Sequence, residues 1–487
     1  MKSYLQLTIA TIFASSLMIN CHAANHQELT DTTNPKSISS TVNSATSASA
    51  ASQNNESFSR GKFIGHWKGK LSVSKNQSIE FVFNIENSES GLVATLDVPA
   101  QNQFGLQFDS VSQIGNGITL VLNAAGIHYE GTLEENTIQG VYQQGSFSAP
   151  VDLVKTQAKV TRQAKPQDPS PTPRYTVEQV SFANEKEGHM LAGTLFVPQR
   201  PFTHTAIILS GSGPTQRDGD IVGHKLYAVL ADLLTKKGIA VLRFDDRGVG
   251  ESGGQYATAT SEDFANDANA ALNFLKHHEP VASSKIGYIG HSEGSLIAAI
   301  ALANKKNTSA DFFISLAGPG TTGGEVLIDQ SYLIQKMRGV PSSELEKDDK
   351  LQRKLIQAVA QNNANEDIKA LMTSAGIPAS QQDAQLSQLT SVWMQYFIKT
   401  DPKNYLQKLS LPVFAVHGAK DLQVPVRQNI DGFMQSINKQ WLTYKIYPNL
   451  NHLLQPADKG LPEEYAAIST TVSPEVVEDI SLWLAQQ

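Results

Sequence analysis

The stretch that most constrains this chain is KIGYIGHSEGSLIAAIALA, residues 285–303. Ile286 to Ile289 is a short apolar run that predicts a buried strand, and the alanine-rich Leu296 to Ala303 predicts a buried helix. Between them lies Gly290-His291-Ser292-Glu293-Gly294, which fits G-x-S-x-G. A strand that turns straight into a helix forces its middle residue into a strained backbone conformation. Side chains two positions to either side would collide, and glycine at 290 and 294 removes the collision. Ser292 is then expected to stand exposed at the carboxyl end of the strand, with a helix N-terminus beneath it. That geometry belongs to an α/β architecture and offers a hydroxyl as nucleophile.

The rest of the chain divides by composition. Its 487 residues predict two or three domains. Lys2 followed by the mostly apolar Leu5–Ile19, too short for a comfortable span, and then Cys21-His22-Ala23, predicts a signal peptide over 1–23 cleaved near Ala23. The expectation is export to a periplasm or the medium, with no stable membrane insertion once the signal is removed. Acylation at Cys21, a lipoprotein, is the competing reading; Asn20 is bulky where such signals want a small residue. Cys21 is the single cysteine, so the mature chain carries no disulfide and no thiolate metal site. No cofactor or metal is expected. The net charge of −7 argues against a nucleic-acid partner.

Residues 24–60, rich in Ser, Thr, Asn and Ala, predict a disordered tether. Over 61–155 the pattern changes. Apolar residues alternate at Trp67-Gly69-Leu71-Val73, at Ile79-Phe81-Phe83-Ile85 and at Ile118-Leu120-Leu122, with turn signals such as Gly115-Asn116-Gly117 between them. Short strands at near-regular spacing predict a small antiparallel β-barrel or sandwich of roughly eight strands. It loosely resembles lipocalin-like barrels. Two readings stand for it: a packed spacer or lid, or a barrel with a ligand in its mouth. Residues 156–174, with Pro166, Pro169, Pro171 and Pro173, predict a stiff extended linker. From 175 to 487 strands and helices alternate. The rhythm breaks at about 323–405, a long polar segment of helical pattern that predicts a cap over the carboxyl edge of the sheet.

One glycine run invites a wrong turn. Gly248-Val249-Gly250-Glu251-Ser252-Gly253 fits a dinucleotide fingerprint, G-x-G-x-x-G. Asp245, Asp246 and Glu251 would repel a phosphate there, and no helix opens directly from these glycines. The segment reads better as a tight turn, with Asp246 or Arg247 pinning neighbouring loops.

Taken in order, four features carry a family resemblance: Ser210-Gly211-Ser212-Gly213-Pro214, Asp246-Arg247-Gly248-Val249-Gly250-Glu251-Ser252, the Ser292 turn, and Asp421 followed by His452. Residues 176–487 resemble the α/β-hydrolase family, nearest to exported bacterial esterases and serine-aminopeptidase-type hydrolases. The resemblance implies an α/β-hydrolase sheet with a helical cap, preceded here by the all-β domain. A serine hydroxyl is too weak an acid to attack unaided, so a base must take its proton. His452, after the last core strand, is the expected base, and Asp421, one strand earlier, the group that orients and stabilises it. Asp458 and Glu463 are the competing acids. The oxyanion donors are expected to be the backbone N–H groups of Glu293 and, by family position, Ser212. Ser210 stands where many relatives have histidine. His291 and His417 flank the site as packing or supporting residues.

The expected activity is hydrolysis of carboxylic esters of short to medium acyl chains, the substrate being a small molecule. An aminopeptidase with the same three residues, a thioesterase, and an inactive ligand-binding surface protein are the alternatives. An aminopeptidase needs a carboxylate for the substrate ammonium, and Glu325 and Glu293 lie nearest the site in sequence.

Overall fold

The computed structural model describes residues 61–74, 77–88, 91–101, 103–122, 126–144, 147–157, 162–303 and 310–487. The signal-peptide and tether segments fall outside these residues. The chain forms two compact units that divide between Arg162 and Gln163.

The N-terminal unit is antiparallel throughout. Its strands are β1 (Gly65–Ser74), β2 (Gln77–Ser88), β3 (Gly91–Val98), β4 (Gln103–Gln107), β5 (Ser110–Ile114), β6 (Gly117–Leu122), β7 (Ile127–Glu134), β8 (Thr137–Gln144), β9 (Phe147–Pro150) and β10 (Leu153–Thr156). The order is β4-β3-β2-β1-β10-β8-β7-β6-β5, with β9 also on β8. The end strands β4 and β5 are one run bent at Phe108 and Asp109. Phe108 N donates to Ala94 C=O at 3.0 Å and Asp109 N to Val121 C=O at 2.8 Å, so the bend closes the sheet into a barrel. Ten strands form where the sequence pattern predicts about eight. The excess comes from this bend and from the four-residue β9 and β10, too short to show an alternation.

Period-2 alternation fills the barrel. Trp67 pairs with Phe83 and Phe83 with Leu96 across β1, β2 and β3. Leu120, Tyr129 and Tyr142 form the matching row across β6, β7 and β8. Trp67, Phe83, Tyr129 and Tyr142 are fully buried. Their polar tips are satisfied, since Trp67 Nε1 donates to Phe63 C=O at 2.6 Å and the Tyr129 hydroxyl lies 3.0 Å from Val151 C=O.

The C-terminal unit has strands β11 (Tyr175–Asn184), β12 (His189–Pro198), β13 (His204–Leu209), the short β14 (Asp220–Ile221) and β15 (His224–Lys225), then β16 (Ala240–Phe244), β17 (Lys285–His291), β18 (Phe313–Leu316), β19 (Val413–Gly418) and β20 (Leu442–Tyr447). Its helices are α1 (Leu226–Lys237), α2 (Ser261–Lys276), α3 (Glu293–Ala303), α4 (Gly323–Met337), α5 (Ser342–Ala360), α6 (Asn365–Ser374), α7 (Ala379–Leu389), α8 (Val392–Lys399), α9 (Lys403–Leu406), α10 (Val426–Ser436) and α11 (Pro474–Leu484). The main sheet runs β11-β12-β16-β13-β17-β18-β19-β20. It is parallel from β16 to β20, and β11 and β12 join antiparallel.

Both faces of this sheet are covered, so its strands read as unbroken apolar runs. Successive residues enter opposite cores. Ile207, Leu242, Tyr288, Phe313 and Ala415 pack with α2 and α3, whereas Ile208, Val241, Ile289, Ile314 and Val416 pack with α1 and α11. Helix α3 is apolar all round because it is buried from Glu293 to Leu302. Helices α4 to α9 build the cap. Its Leu327, Leu355, Val359, Met372 and Phe397 are continuous with the α2–α3 core.

Ser473 takes the N-cap position of α11 with Pro474 next, but its side chain makes no cap hydrogen bond. Residues 162–174 turn at 165–168, where Asp168 N donates to Lys165 C=O at 3.0 Å, and the segment is fastened to the C-terminal unit. Lys165 Nζ donates to the carbonyls of Ala466 at 2.7 Å and Ile468 at 2.9 Å. Gln167 donates to Val472 C=O and accepts from Thr471 N and Val472 N. With few internal backbone bonds of its own, the segment pairs polar side chains with the irregular stretch beside it.

Candidate active site

Strand β17 ends and helix α3 begins at Ser292, whose φ is +56°. Few non-glycine residues adopt this region, and here it is forced by the turn. A Cβ on Gly290 would lie 2.3 Å from Gly294 C=O, and one on Gly294 would lie 2.3 Å from Leu209 C=O. Any side chain at either position therefore pushes the elbow apart.

The three residues named for nucleophile, base and orienting acid come from three separate loops and meet. His452 Nε2 lies 3.0 Å from Ser292 Oγ, and His452 Nδ1 lies 2.8 Å from Asp421 Oδ2. Asp421 follows β19, and its other oxygen accepts from Gln423 N at 2.8 Å and Val424 N at 2.9 Å. That leaves Oδ2 for the imidazole. The tautomer follows: Nδ1–H donates to the carboxylate and Nε2 accepts from the serine. The His452 loop is held by Asn451, whose Oδ1 accepts from Leu453 N and Gln455 N. Glu463, a competing acid, pairs instead with Arg338.

Around this trio lies a supporting layer that the sequence shows only in part. His291 Nε2 donates to His452 C=O at 3.0 Å, and its Nδ1 faces the Tyr227 hydroxyl at 3.3 Å. Tyr227 in turn accepts from Gly211 N at 2.9 Å. One chain of hydrogen bonds thus joins the turn after β13 to the loop carrying the base. Burial, then the neighbouring His452, pushes the His291 pKa down to about 3, so the ring is neutral, as its accepting Nδ1 requires. Burial likewise lowers His417 to about 4, and neither of its ring nitrogens has a hydrogen-bond partner among the described residues.

The turn after β13 runs directly against the nucleophile: a Cβ on Gly211 would come within 3.1 Å of Ser292 Cβ. Its bracing comes from Asp246. Asp246 Oδ1 accepts from Ser210 Oγ at 2.5 Å and Oδ2 from Thr215 N at 2.9 Å. Burial raises the Asp246 pKa to about 8. Arg247 pins the other side, to Asp267 at 2.7 Å and Glu187 at 2.5 Å. The glycine run 248–253 is thus a turn stabilised by ion pairs. Its Gly250 approaches the Asp245 carboxylate, where a Cβ would stand 2.5 Å from Oδ2. Ser212 N and Glu293 N, the two donors assigned to an oxyanion, make no hydrogen bond to the protein among the described residues.

Sequence reading missed Tyr227, Ser261 and Trp393. Tyr227 looks like an ordinary core residue of α1, and Trp393 like any aromatic on a cap helix. Their roles arise only where distant segments meet.

Three comparisons bear on this arrangement. Residues 223–456 match the family model described as serine aminopeptidase, S33. The esterase EstD of Thermotoga maritima is 26% identical over 301 residues, which is 61% of this chain and 66%, just under two-thirds, of the relative. An uncharacterised protein of Mycobacterium tuberculosis is 33% identical over 127 residues, 26% of this chain and 42% of that protein. Among solved structures, the Pyrococcus furiosus esterase Pf2001 covers 63% of this chain and 91% of its own at 20% identity, with a TM-score of 0.40. The eight-stranded order, the serine elbow after β17 and the match over 223–456 fall in the same unit, and in them the chain is similar to the α/β-hydrolase family.

Proposed function

We propose that this protein is an exported serine hydrolase that cleaves carboxylic esters of short to medium acyl chains through an acyl-enzyme. The observation that carries the reading is the unbroken hydrogen-bond chain Ser292–His452–Asp421 at a serine with φ +56°. His452 Nε2 takes the Ser292 proton as Oγ attacks the ester carbonyl carbon. The imidazolium that forms is stabilised by Asp421. The carbonyl oxygen gains negative charge facing the Glu293 N–H at the N-terminus of α3 and the Ser212 N–H on the turn after β13. Collapse breaks the C–O bond, and His452 gives its proton to the leaving alkoxide. Water then repeats the sequence on the acyl-serine, releasing the acid.

Ester is preferred to peptide because the acids an ammonium would need are engaged. Glu325 and Asp349 both pair with Arg353. Glu293 is buried and already accepts hydrogen bonds from Ser261 and Trp393. The relative that bears the name esterase points the same way.

The test compares p-nitrophenyl butyrate with aminoacyl and prolyl p-nitroanilides on the purified chain, together with fluorophosphonate labelling mapped by mass spectrometry. Ester turnover with label on Ser292 is expected. Higher catalytic efficiency on an aminoacyl nitroanilide replaces this reading with the peptidase one, and absence of both activities and of label removes it.

A further inference from the structure

His452 sits in a stretch with little structure of its own to hold it. Between β20 and α11, over residues 448–473, the chain is irregular, with a short 3-10 turn at Pro462–Ala467. Such a segment has no ladder to fix it. A base that must work on Ser292, however, has to be placed to within about 0.5 Å. Placement therefore falls to the side chains that grip the segment from outside.

One grip is His224, which is fully buried. Its Nδ1 lies 2.9 Å from Thr471 Oγ1 and its Nε2 2.9 Å from Tyr465 C=O. A second grip comes from some three hundred positions earlier. Lys165 N donates to Asp168 Oδ2 at 2.9 Å while Asp168 N donates to Lys165 C=O at 3.0 Å. This closed turn presents Lys165 and Gln167 together. Lys165 Nζ donates to the carbonyls of Ala466 and Ile468. Gln167 Oε1 accepts from Thr471 N at 2.6 Å and Val472 N at 3.1 Å, and its Nε2 donates to Val472 C=O at 2.9 Å. A linker that only spans a gap needs none of these bonds.

From the gripped segment two arms run to the acid–base pair. Ser473, next to Val472, donates its N–H to Leu454 C=O at 2.9 Å. Leu454, at φ +59°, donates its own N–H to Asn451 C=O at 3.0 Å, and the turn so closed contains His452. On the other arm stands Tyr465, next to Ala466 and buried. Its hydroxyl accepts from Gln423 Nε2 at 2.9 Å, and Gln423 N donates to Asp421 Oδ1 at 2.8 Å. The two arms end on the two partners of the 2.8 Å bond between His452 and Asp421.

We propose that Gln167 and Lys165 are positioning residues for the ester hydrolysis proposed above, Gln167 setting the turn of His452 and Lys165 the loop of Asp421, both through residues 465–473. The stretch from 163 then belongs to the catalytic unit and is not a mere spacer. The inference rests on the Ser292 hydrolase reading.

The test uses the full chain well below its melting temperature, with steady-state kinetics on p-nitrophenyl butyrate and the rate of fluorophosphonate labelling of Ser292. Labelling needs the same serine–histidine pair but not the butyrate site. Gln167→Ala should lower kcat by about 3–10-fold with KM within about twofold, and the labelling rate should fall in step. Lys165→Ala should lower both by about threefold. Lys165 acts through Tyr465, so adding Lys165→Ala to Tyr465→Phe should cost no more than Tyr465→Phe alone. The proposal is overturned if kcat and labelling hold while only the melting temperature falls, as a purely structural fastening predicts. It is overturned equally if KM alone changes, or if the effects of Lys165→Ala and Tyr465→Phe multiply. Should Gln167→Ala not fold, Lys165→Ala decides by the same two readouts, since that side chain is only half-buried. Wild-type protein that neither hydrolyses the ester nor takes the label fails at the earlier reading. An active wild type with unchanged variants fails at this one alone.

Discussion

The inner face of the barrel buries Trp67, Phe81, Phe83, Tyr129 and Tyr142, whereas the C-terminal unit buries Asp245, Asp246, Arg247, Asp267, Glu293 and Asp421 near His291, His417 and His452. The barrel's rings pair closely: Phe81 and Phe83 lie 4.9 Å apart by centroid, and Phe83 meets Tyr129 edge-on at 5.4 Å. Such a core stabilises by area and shape and does no acid–base work. Buried ionisable groups cost free energy unless each is paired or hydrogen-bonded. The C-terminal unit accepts that cost at one edge of its sheet, next to a strained serine. The contrast teaches where chemistry is carried, and it can be broken by experiment.

The largest effect is expected at the elbow. Ser292→Ala or His452→Ala should lower kcat by about 10⁴-fold or more with an unchanged circular dichroism spectrum, and Asp421→Ala by less. Near-normal turnover in Ser292→Ala would end the proposed mechanism. Gly294→Ala should disable the elbow through backbone collision even though it touches no reacting atom.

The opposite experiment is Trp67→Ala. Removing this fully buried ring should destabilise the barrel by about 3–5 kcal/mol while leaving kcat alone. A parallel fall in kcat would mean the barrel belongs to the site. Truncation sharpens the point. A chain beginning at Gln163 keeps the Lys165 and Gln167 contacts. One beginning at Tyr175 loses them and should be less stable by about 2 kcal/mol, with both retaining labelled Ser292.

A smaller signal lies in pH. Burial holds His291 at about 3 and His417 at about 4, against an ordinary value of 6.5. The unfolded chain therefore binds protons that the folded chain refuses. Stability from these groups is full above about 6.5 and drains as pH falls toward about 4 and then 3. Asp246, raised to about 8 from 3.8, has the opposite sign: its contribution is full below about 3.8 and is lost as pH rises to about 8. The barrel buries no histidine among the described residues. Calorimetry of the full chain across this range should show one transition that moves with pH and one that moves less. Equal pH dependence would remove the contrast. The smallest effect is expected at Ile114→Ser, a residue 87% exposed on the barrel, which should change stability by no more than about 0.5 kcal/mol.

Much of this was legible in order along the chain. The strand-turn-helix at 285–303 and the period-2 runs that became the barrel rows follow from local pattern, because sterics and periodicity act between near neighbours, whereas the Ser–Asp–His order of loops came from the family resemblance. The hairpin of β11 and β12 and the split of β4 from β5 were not. Nor was the fastening of Lys165 and Gln167, since hydrogen-bond partners some three hundred residues away leave no mark on local composition. The sequence by itself determined the elbow, the alternation, the position of the cap and the residue types available for a nucleophile, a base and an acid. Only the tertiary structure decided that Asp246 braces Ser210, that Tyr227 and His291 link two loops, and that Glu293 meets Trp393. Those contacts join side chains from loops and helices far apart in sequence, and a buried polar group is satisfied by whatever donor packing brings within about 3 Å.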